Sequence, residues 1–161
     1  MARDRTIVFI AQKDTSQQEI TPEDLHAIGT EASIGRILKM PDGTVSILVQ
    51  GQRRLQLTEV LQEDPYLKGL LLPVYEAAQK KTLQLEALMR AVLALFEKCV
   101  KLSKSLPEDV YIAAMNVDEP GWLADLIASS LDLSLDQRQE ALATLDPTKR
   151  LQKISIVLAK E

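Results

Sequence analysis

Ile28-Gly29-Thr30-Glu31-Ala32-Ser33-Ile34-Gly35-Arg36-Ile37-Leu38-Lys39-Met40-Pro41-Asp42-Gly43-Thr44-Val45-Ser46-Ile47-Leu48-Val49-Gln50-Gly51-Gln52-Arg53-Arg54-Leu55-Gln56-Leu57 carries the clearest structural signal in the chain. Pro41-Asp42-Gly43 stands between two apolar runs and reads as a tight turn. Proline presets φ, aspartate bonds its own backbone, and glycine takes the position that needs φ > 0. Val45, Ile47 and Val49 alternate with Ser46 and Gln50, the pattern of a half-buried strand. Gln50-Gly51-Gln52 then reads as a second turn leading into Arg54-Leu55-Gln56-Leu57. The local expectation is a three-stranded antiparallel meander.

Working outward, Ile7-Val8-Phe9-Ile10-Ala11 is a continuous apolar run, expected to be a strand buried on both faces. Thr21-Pro22-Glu23-Asp24 reads as a short helical turn with Thr21 as its N-cap and proline at the first position. Leu61-Gln62-Glu63-Asp64-Pro65 breaks the meander. Tyr66 to Tyr75 reads as a further strand that ends, or runs along an edge, at Pro73. The period then changes. Leu85, Leu88, Met89, Val92, Leu95, Phe96, Cys99 and Leu102 recur every three or four residues, which predicts one long amphipathic helix. Four more helix starts follow. Ser105-Leu106-Pro107-Glu108 and Ser134-Leu135-Asp136-Gln137 have capping-box spacing, Asp146-Pro147 sets a cap before a first-position proline, and Asp118-Glu119-Pro120 opens a helix to about Ser130. The fold class is therefore α+β. An antiparallel β-rich part spans residues 1–75 and a helical bundle spans 76–161, with the boundary near Tyr75–Ala78.

Composition narrows the function. The 161 residues suffice for one domain or two small subdomains with a real core. The net charge of −4, about −2 in each half, offers no basic stripe for nucleic acid. A single cysteine, Cys99, excludes an internal disulfide and suits a reducing compartment. No apolar run approaches the roughly 20 residues of a membrane span, and Ile7–Ala11 is too short for a signal-peptide core. A cytoplasmic protein is the expectation.

In this order, the motifs resemble one family. Met40-Pro41-Asp42-Gly43-Thr44 and Gly51-Gln52-Arg53-Arg54, preceded by Ala11-Gln12-Lys13-Asp14 and Leu25-His26-Ala27-Ile28-Gly29-Thr30, look like the amino-terminal substrate-binding domain of the Lon ATP-dependent proteases. Asp118-Glu119-Pro120-Gly121-Trp122-Leu123-Ala124-Asp125-Leu126-Ile127-Ala128 resembles that family's acidic-acidic-Pro, then Leu-Ala-Asp-x-Ile-Ala pattern. Gln137–Leu145 with Arg150-Leu151 resembles its closing helices. The resemblance spans nearly the whole chain. It implies a PUA-like β part and a module that binds unfolded or degron-bearing proteins for an oligomeric, hexameric serine protease with an AAA+ ATPase. ATP and Mg would act in downstream modules, and neither nucleic acid nor a membrane is required. The family's first strand and helix are missing before Met1, and its ATPase module after Glu161, which implies an excised fragment. An apolar groove beside Ile7–Ile10 would then be uncovered, and the fragment is expected to swap, to dimerise or to be marginally stable. A stand-alone adaptor or regulator is the alternative, and a small enzyme a third reading.

The residues argue against the enzyme. No Gly-x-x-x-x-Gly-Lys-Ser/Thr string is present to cradle phosphates. Ser103-Lys104-Ser105 sets serines beside a lysine, but sequence neighbours do not face each other on a helix, so it reads as a solvated helix end. His26 is the sole histidine, and with no cysteine cluster it makes no zinc site. Cys99 falls on the long helix's apolar stripe as a small core residue. The adjacent carboxylates Glu23/Asp24, Glu108/Asp109 and Asp118/Glu119 stand at helix starts, where the dipole favours acids. Glu63/Asp64 stands at the break after the meander. No catalytic, cofactor or metal residue is expected. The candidate contact residues are Trp122, Ile7 and Phe9. Trp122, the only tryptophan, has two readings. It either covers the edge of the core or is an exposed aromatic contact for a partner.

Overall fold

The computed structural model describes residues 6–14, 16, 20–103 and 106–160. The chain divides into two compact units, Met1–Tyr75 and Glu76–Glu161. The first is a four-stranded antiparallel sheet in the order β1-β2-β3-β4, with β1 Thr6–Phe9, β2 Ile28–Lys39, β3 Val45–Gln62 and β4 Lys68–Pro73. Before β2, the chain makes a 3-10 turn, Pro22–Asp24. There Thr21 donates to Asp24 Oδ2 from its backbone N–H at 2.9 Å and from its hydroxyl at 2.7 Å. These two bonds tie the turn together and hold the Asp24 carboxyl below its usual range, the backbone bond contributing most.

Three expectations for this unit are corrected. The meander has no turn at Gln50-Gly51-Gln52. β3 runs unbroken through it, with Gly51 opposite Ala32 and Arg53 opposite Glu31, so Gln52 is the extra residue of a β-bulge. A bulge absorbs one residue and bends the strand without ending it. The predicted third strand is thus the second half of β3, and the following partner is β4. The Ile7–Ala11 run is not buried on both faces. β1 stops at Phe9 and pairs with β2 alone, as an edge strand, with Ile7 and Phe9 exposed. The alternating face of Val45, Ile47 and Val49 is likewise exposed along its length. β4 ends at Pro73 on the opposite edge, where a residue that cannot donate to a ladder is tolerated.

Among its described residues the second unit contains five helices: α1 Leu83–Leu102, α2 Glu108–Met115, α3 Pro120–Ser130, α4 Leu135–Ala143 and α5 Pro147–Leu158. Local chemistry sets several starts. Thr82 Oγ1 accepts from the Leu85 N–H at 3.2 Å. Ser134 and Gln137 exchange a reciprocal pair, Gln137 N–H to the Ser134 hydroxyl and Ser134 N–H to the Gln137 side chain. Asp146 Oδ1 accepts from the N–H groups of Thr148 and Lys149. Helix α2 departs from expectation: its N-cap is Pro107, not Ser105, and Ser105 and Lys104 lie outside the described residues.

The α1 stripe buries Leu85, Val92, Phe96 and Val100, with Leu88, Met89, Leu95 and Cys99 packed alongside. Leu102, expected to end that stripe, sits at the helix terminus and is exposed. Leu123, Ala124, Ile127 and Ala128 of α3 and Leu151, Ile154 and Leu158 of α5 complete the core. Burial of each large aliphatic or aromatic side chain contributes about 1.5–3 kcal/mol, so this unit has a well-supported interior.

Candidate functional site

The distal half of the β2–β3 hairpin is the most distinctive surface of the β unit. Its tip is built by local bonds. The Gly43 N–H donates to Met40 O at 3.0 Å and the Met40 N–H to Thr44 O at 2.9 Å. Gly43 carries φ of 85°, the left-handed region that glycine enters without cost. Asp42 Oδ1 accepts from the Thr44 hydroxyl at 2.7 Å and the Thr44 N–H at 2.9 Å. The hydroxyl first, then the backbone amide, hold the Asp42 carboxyl below the usual carboxylate range.

Behind this tip the register pairs Lys39 with Val45, Ile37 with Ile47 and Ile34 with Val49. Directly opposed residues project from the same face of an antiparallel ladder. Ile34, Ile37, Val45, Ile47 and Val49 therefore form one apolar face, with Lys39 at its tip. Ile37 is 62% exposed, Val45 56% and Ile47 49%. Arg36, Leu38, Ser46 and Leu48 make the mixed opposite face, where Leu38 and Leu48 are also exposed. A contiguous exposed apolar patch is the mark of an interaction surface, since isolated surface hydrophobes need no explanation but clusters do.

The hairpin base is different. There Ala32 and Leu55 are buried, and Arg53 pairs with Glu31 across the strands. The Glu31 carboxylate, through its hydrogen bond and its charge, raises the Arg53 guanidinium further above its ordinary value. The hairpin is thus anchored at one end and bare at the other.

The candidate contact residues separate. Ile7 and Phe9 share one face of β1, opposite Ala32 and Thr30 of β2. Trp122 belongs to the helical unit, near the start of α3, and is 73% exposed. Most of the indole is thus in solvent. His26 is half-buried in a loop, its N–H donating to Ala11 O at 2.9 Å, and its Nε2 has no partner. Cys99 packs at the core margin, its thiol donating to Leu158 O at 3.6 Å. Among the described residues no group of three His, Cys, Asp or Glu is placed to hold a metal, and no helix is long and apolar enough to cross a membrane.

Sequence reasoning missed Arg150. Its side chain is fully buried, with Nη2 2.6 Å from Glu76 Oε1 and Nη1 3.0 Å from Asp125 Oδ1. It also donates to the carbonyls of Thr144, at 2.9 Å, and Gly121, at 3.3 Å. The signal was available. Pro147, Arg150, Leu151, Ile154 and Leu158 are the buried positions of α5, and an arginine at i+3 of such a stripe must find acceptors inside. The pair Asp125 and Arg150 lies in the two motifs that carried the family resemblance.

Comparison with known proteins agrees along the chain. Residues 1–160 match the family described as the ATP-dependent protease La (LON) substrate-binding domain. Lon protease 2 of Herpetosiphon aurantiacus is 43% identical over 161 residues, covering 100% of this chain and 20% of the relative. Lon protease of Dictyoglomus thermophilum is 39% identical over 155 residues, covering 96% of this chain and 19% of the relative. The chain thus spans about a fifth of the length of the curated relatives it matches. Among solved structures, the N-terminal domain of the Mycobacterium avium complex Lon protease superposes with a TM-score of 0.73 at 18% identity, covering 96% of this chain and 91% of that one. The Lon N-terminal domain protein from Xanthomonas campestris gives 0.58 at 20% identity, covering 94% and 88%. At these identities the structures speak for the fold alone.

Proposed function

From the premise that this chain belongs to the Lon substrate-binding domain family, we propose that it captures polypeptides through exposed apolar segments, using the bare face of the β2–β3 hairpin. The single observation behind this reading is the unpartnered row Ile34, Ile37, Val45, Ile47 and Val49. An extended apolar segment laid on that row loses water from both surfaces, at about 25 cal/mol per Å² of apolar area. No side chain on the row demands a particular partner shape, so the affinity is modest and sequence-tolerant. That suits recognition of misfolded proteins and of regulatory proteins bearing apolar degrons. Ile7 and Phe9 on β1 offer a second, smaller apolar area in the same unit.

In the parent protein this module would hand its clients to an ATP-dependent serine protease. That part would bind ATP with Mg, assemble as a homo-oligomer, by family a hexamer, and work in the cytoplasm. The domain itself would need no cofactor, nucleic acid or membrane, and its β unit would be PUA-like. The reading is tested by titrating the chain with fluorescein-labelled casein and following anisotropy. The double variant Ile37→Ser with Ile47→Ser should weaken binding about tenfold or more, the scale of losing two apolar contacts. Unchanged binding in a variant that remains folded by circular dichroism overturns it.

A further inference from the structure

The helical unit contains a cleft of about 360 Å³, lined among others by Trp122, Pro120, Pro147, Ala77, Glu76 and Glu119. That volume lies in the range of side-chain and small-ligand sites, roughly 300–1,000 Å³. Its lining combines an exposed indole and two proline rings with two carboxylates, and includes no lysine or arginine. Trp122 stands out in its own helix, because its neighbours Gly121, Leu123 and Ala124 are all buried. Trp122 is the largest of the apolar side chains that this unit leaves exposed, a set that also includes Leu83, Leu102, Met115 and Ile156.

The charges in the cleft have distinct roles. Glu76 is bonded by Arg150, whose side chain is fully buried and so offers no positive charge to solvent. A Cβ at Gly121 would overlap the Glu76 carboxylate, which therefore rests directly against the start of α3. The beginning of a helix attracts anions, but here Glu76 already fills that position. Glu119 is exposed and makes no ion pair among the described residues, and the adjacent Asp118 is exposed as well. Lys80 and Lys149 stand within two residues of the lining residues Gln79 and Pro147 but are not themselves part of the lining. What an incoming ligand meets is thus an aromatic face and proline rings with negative charge at the rim.

We infer that this cleft receives the side chain of an arginine or lysine presented by an extended polypeptide. The methylene stem would lie on Trp122 and the prolines, as long cationic side chains do on apolar surface. The cationic head would meet Glu119, with the indole face adding a cation–π contact. This inference stands apart from the hairpin surface and would hold if that surface bound nothing. A client held at both places would be chosen for an apolar segment and for a basic residue separately.

Trp122 is the only tryptophan, so its emission reports on the cleft without a label. The test titrates the chain with an acetylated, amidated Gly/Ser peptide containing one arginine, and with the same peptide carrying neutral citrulline instead. The arginine peptide should give a saturable change in emission. The citrulline peptide, and the arginine peptide on Glu119→Gln, should bind roughly two- to fivefold more weakly, the scale of one exposed ion pair. Equal affinity for the citrulline peptide, an unaffected Glu119→Gln variant, or no saturable change at millimolar peptide overturns the inference. So does arginine amide binding as tightly as the peptide, which would mark a site for small cations. The hairpin surface is tested separately by casein binding to the Ile37→Ser, Ile47→Ser double variant, so failure of either reading leaves the other standing.

Discussion

The two units treat their apolar residues in opposite ways. Among the described residues, fifteen buried apolar side chains form the core of the helical unit, whereas only Ala32 and Leu55 are buried in the β unit. Yet the β unit is not poor in apolar residues: Ile37, Leu38, Val45, Ile47, Leu48, Leu61, Leu70 and Leu72 are all exposed. A helix stripe can be covered by other helices of its own unit, and here α2, α3 and α5 pack against α1. A long two-stranded hairpin has two faces and, over its distal half, no third strand among the described residues. The helical unit spends its apolar surface on stability, while the hairpin leaves its own exposed.

This contrast can be broken by substitution. The largest effect is expected from Phe96→Ala in α1, a fully buried residue, where cavity formation costs about 3–5 kcal/mol. Urea denaturation followed by helical circular dichroism should show the loss, and a shift well under 1 kcal/mol would mean that the core is less closely packed than described. Arg150→Ala comes next. It removes one partner each of Glu76 and Asp125, and breaking a fully buried pair costs roughly 3–5 kcal/mol. Because the two carboxylates keep 32% and 35% of their side-chain exposure, solvent should reduce the cost to about 2–3 kcal/mol. Arg150→Lys should recover only part of this, since one ammonium cannot span two carboxylates and two carbonyls. The smallest effect is expected from Ile47→Ser on the hairpin, within about 0.5 kcal/mol in the same denaturation experiment, as for other exposed positions. A loss of several times that size would show that the hairpin face is covered in solution and would erase the difference between the units.

The sequence reading succeeded where local chemistry decides. The Pro41-Asp42-Gly43 turn, the Ser134 and Asp146 caps, the end of β4 at Pro73 and the α1 stripe each depend on residues within one turn of chain. It failed where a distant residue sets the outcome. Gly51 resembles a turn glycine until its partner Ala32 is known, and then it is one position of a continuous ladder beside a bulge. Ile7 to Ala11 looks like a doubly buried strand, but burial depends on what lies on both sides, and β1 has a neighbour on one side only. Arg150 was read as a motif residue. Its role as the hub for Glu76 and Asp125 spans 74 and 25 residues of chain, beyond any local pattern.

Periodicity and turn chemistry, then, settled which residues share a face, where most helices begin and which family the chain resembles, because all of these are encoded within a few residues. Only the tertiary arrangement decided which faces are covered. Alternation along Val45–Val49 marks a side of a strand as apolar, but covering it requires another element at the right place, and the hairpin extends past every other strand of its sheet. The same holds for Trp122. Its helix position was legible from Asp118-Glu119-Pro120, but its exposure depends on which elements pack around α3, and those leave the indole at the open rim of a cleft.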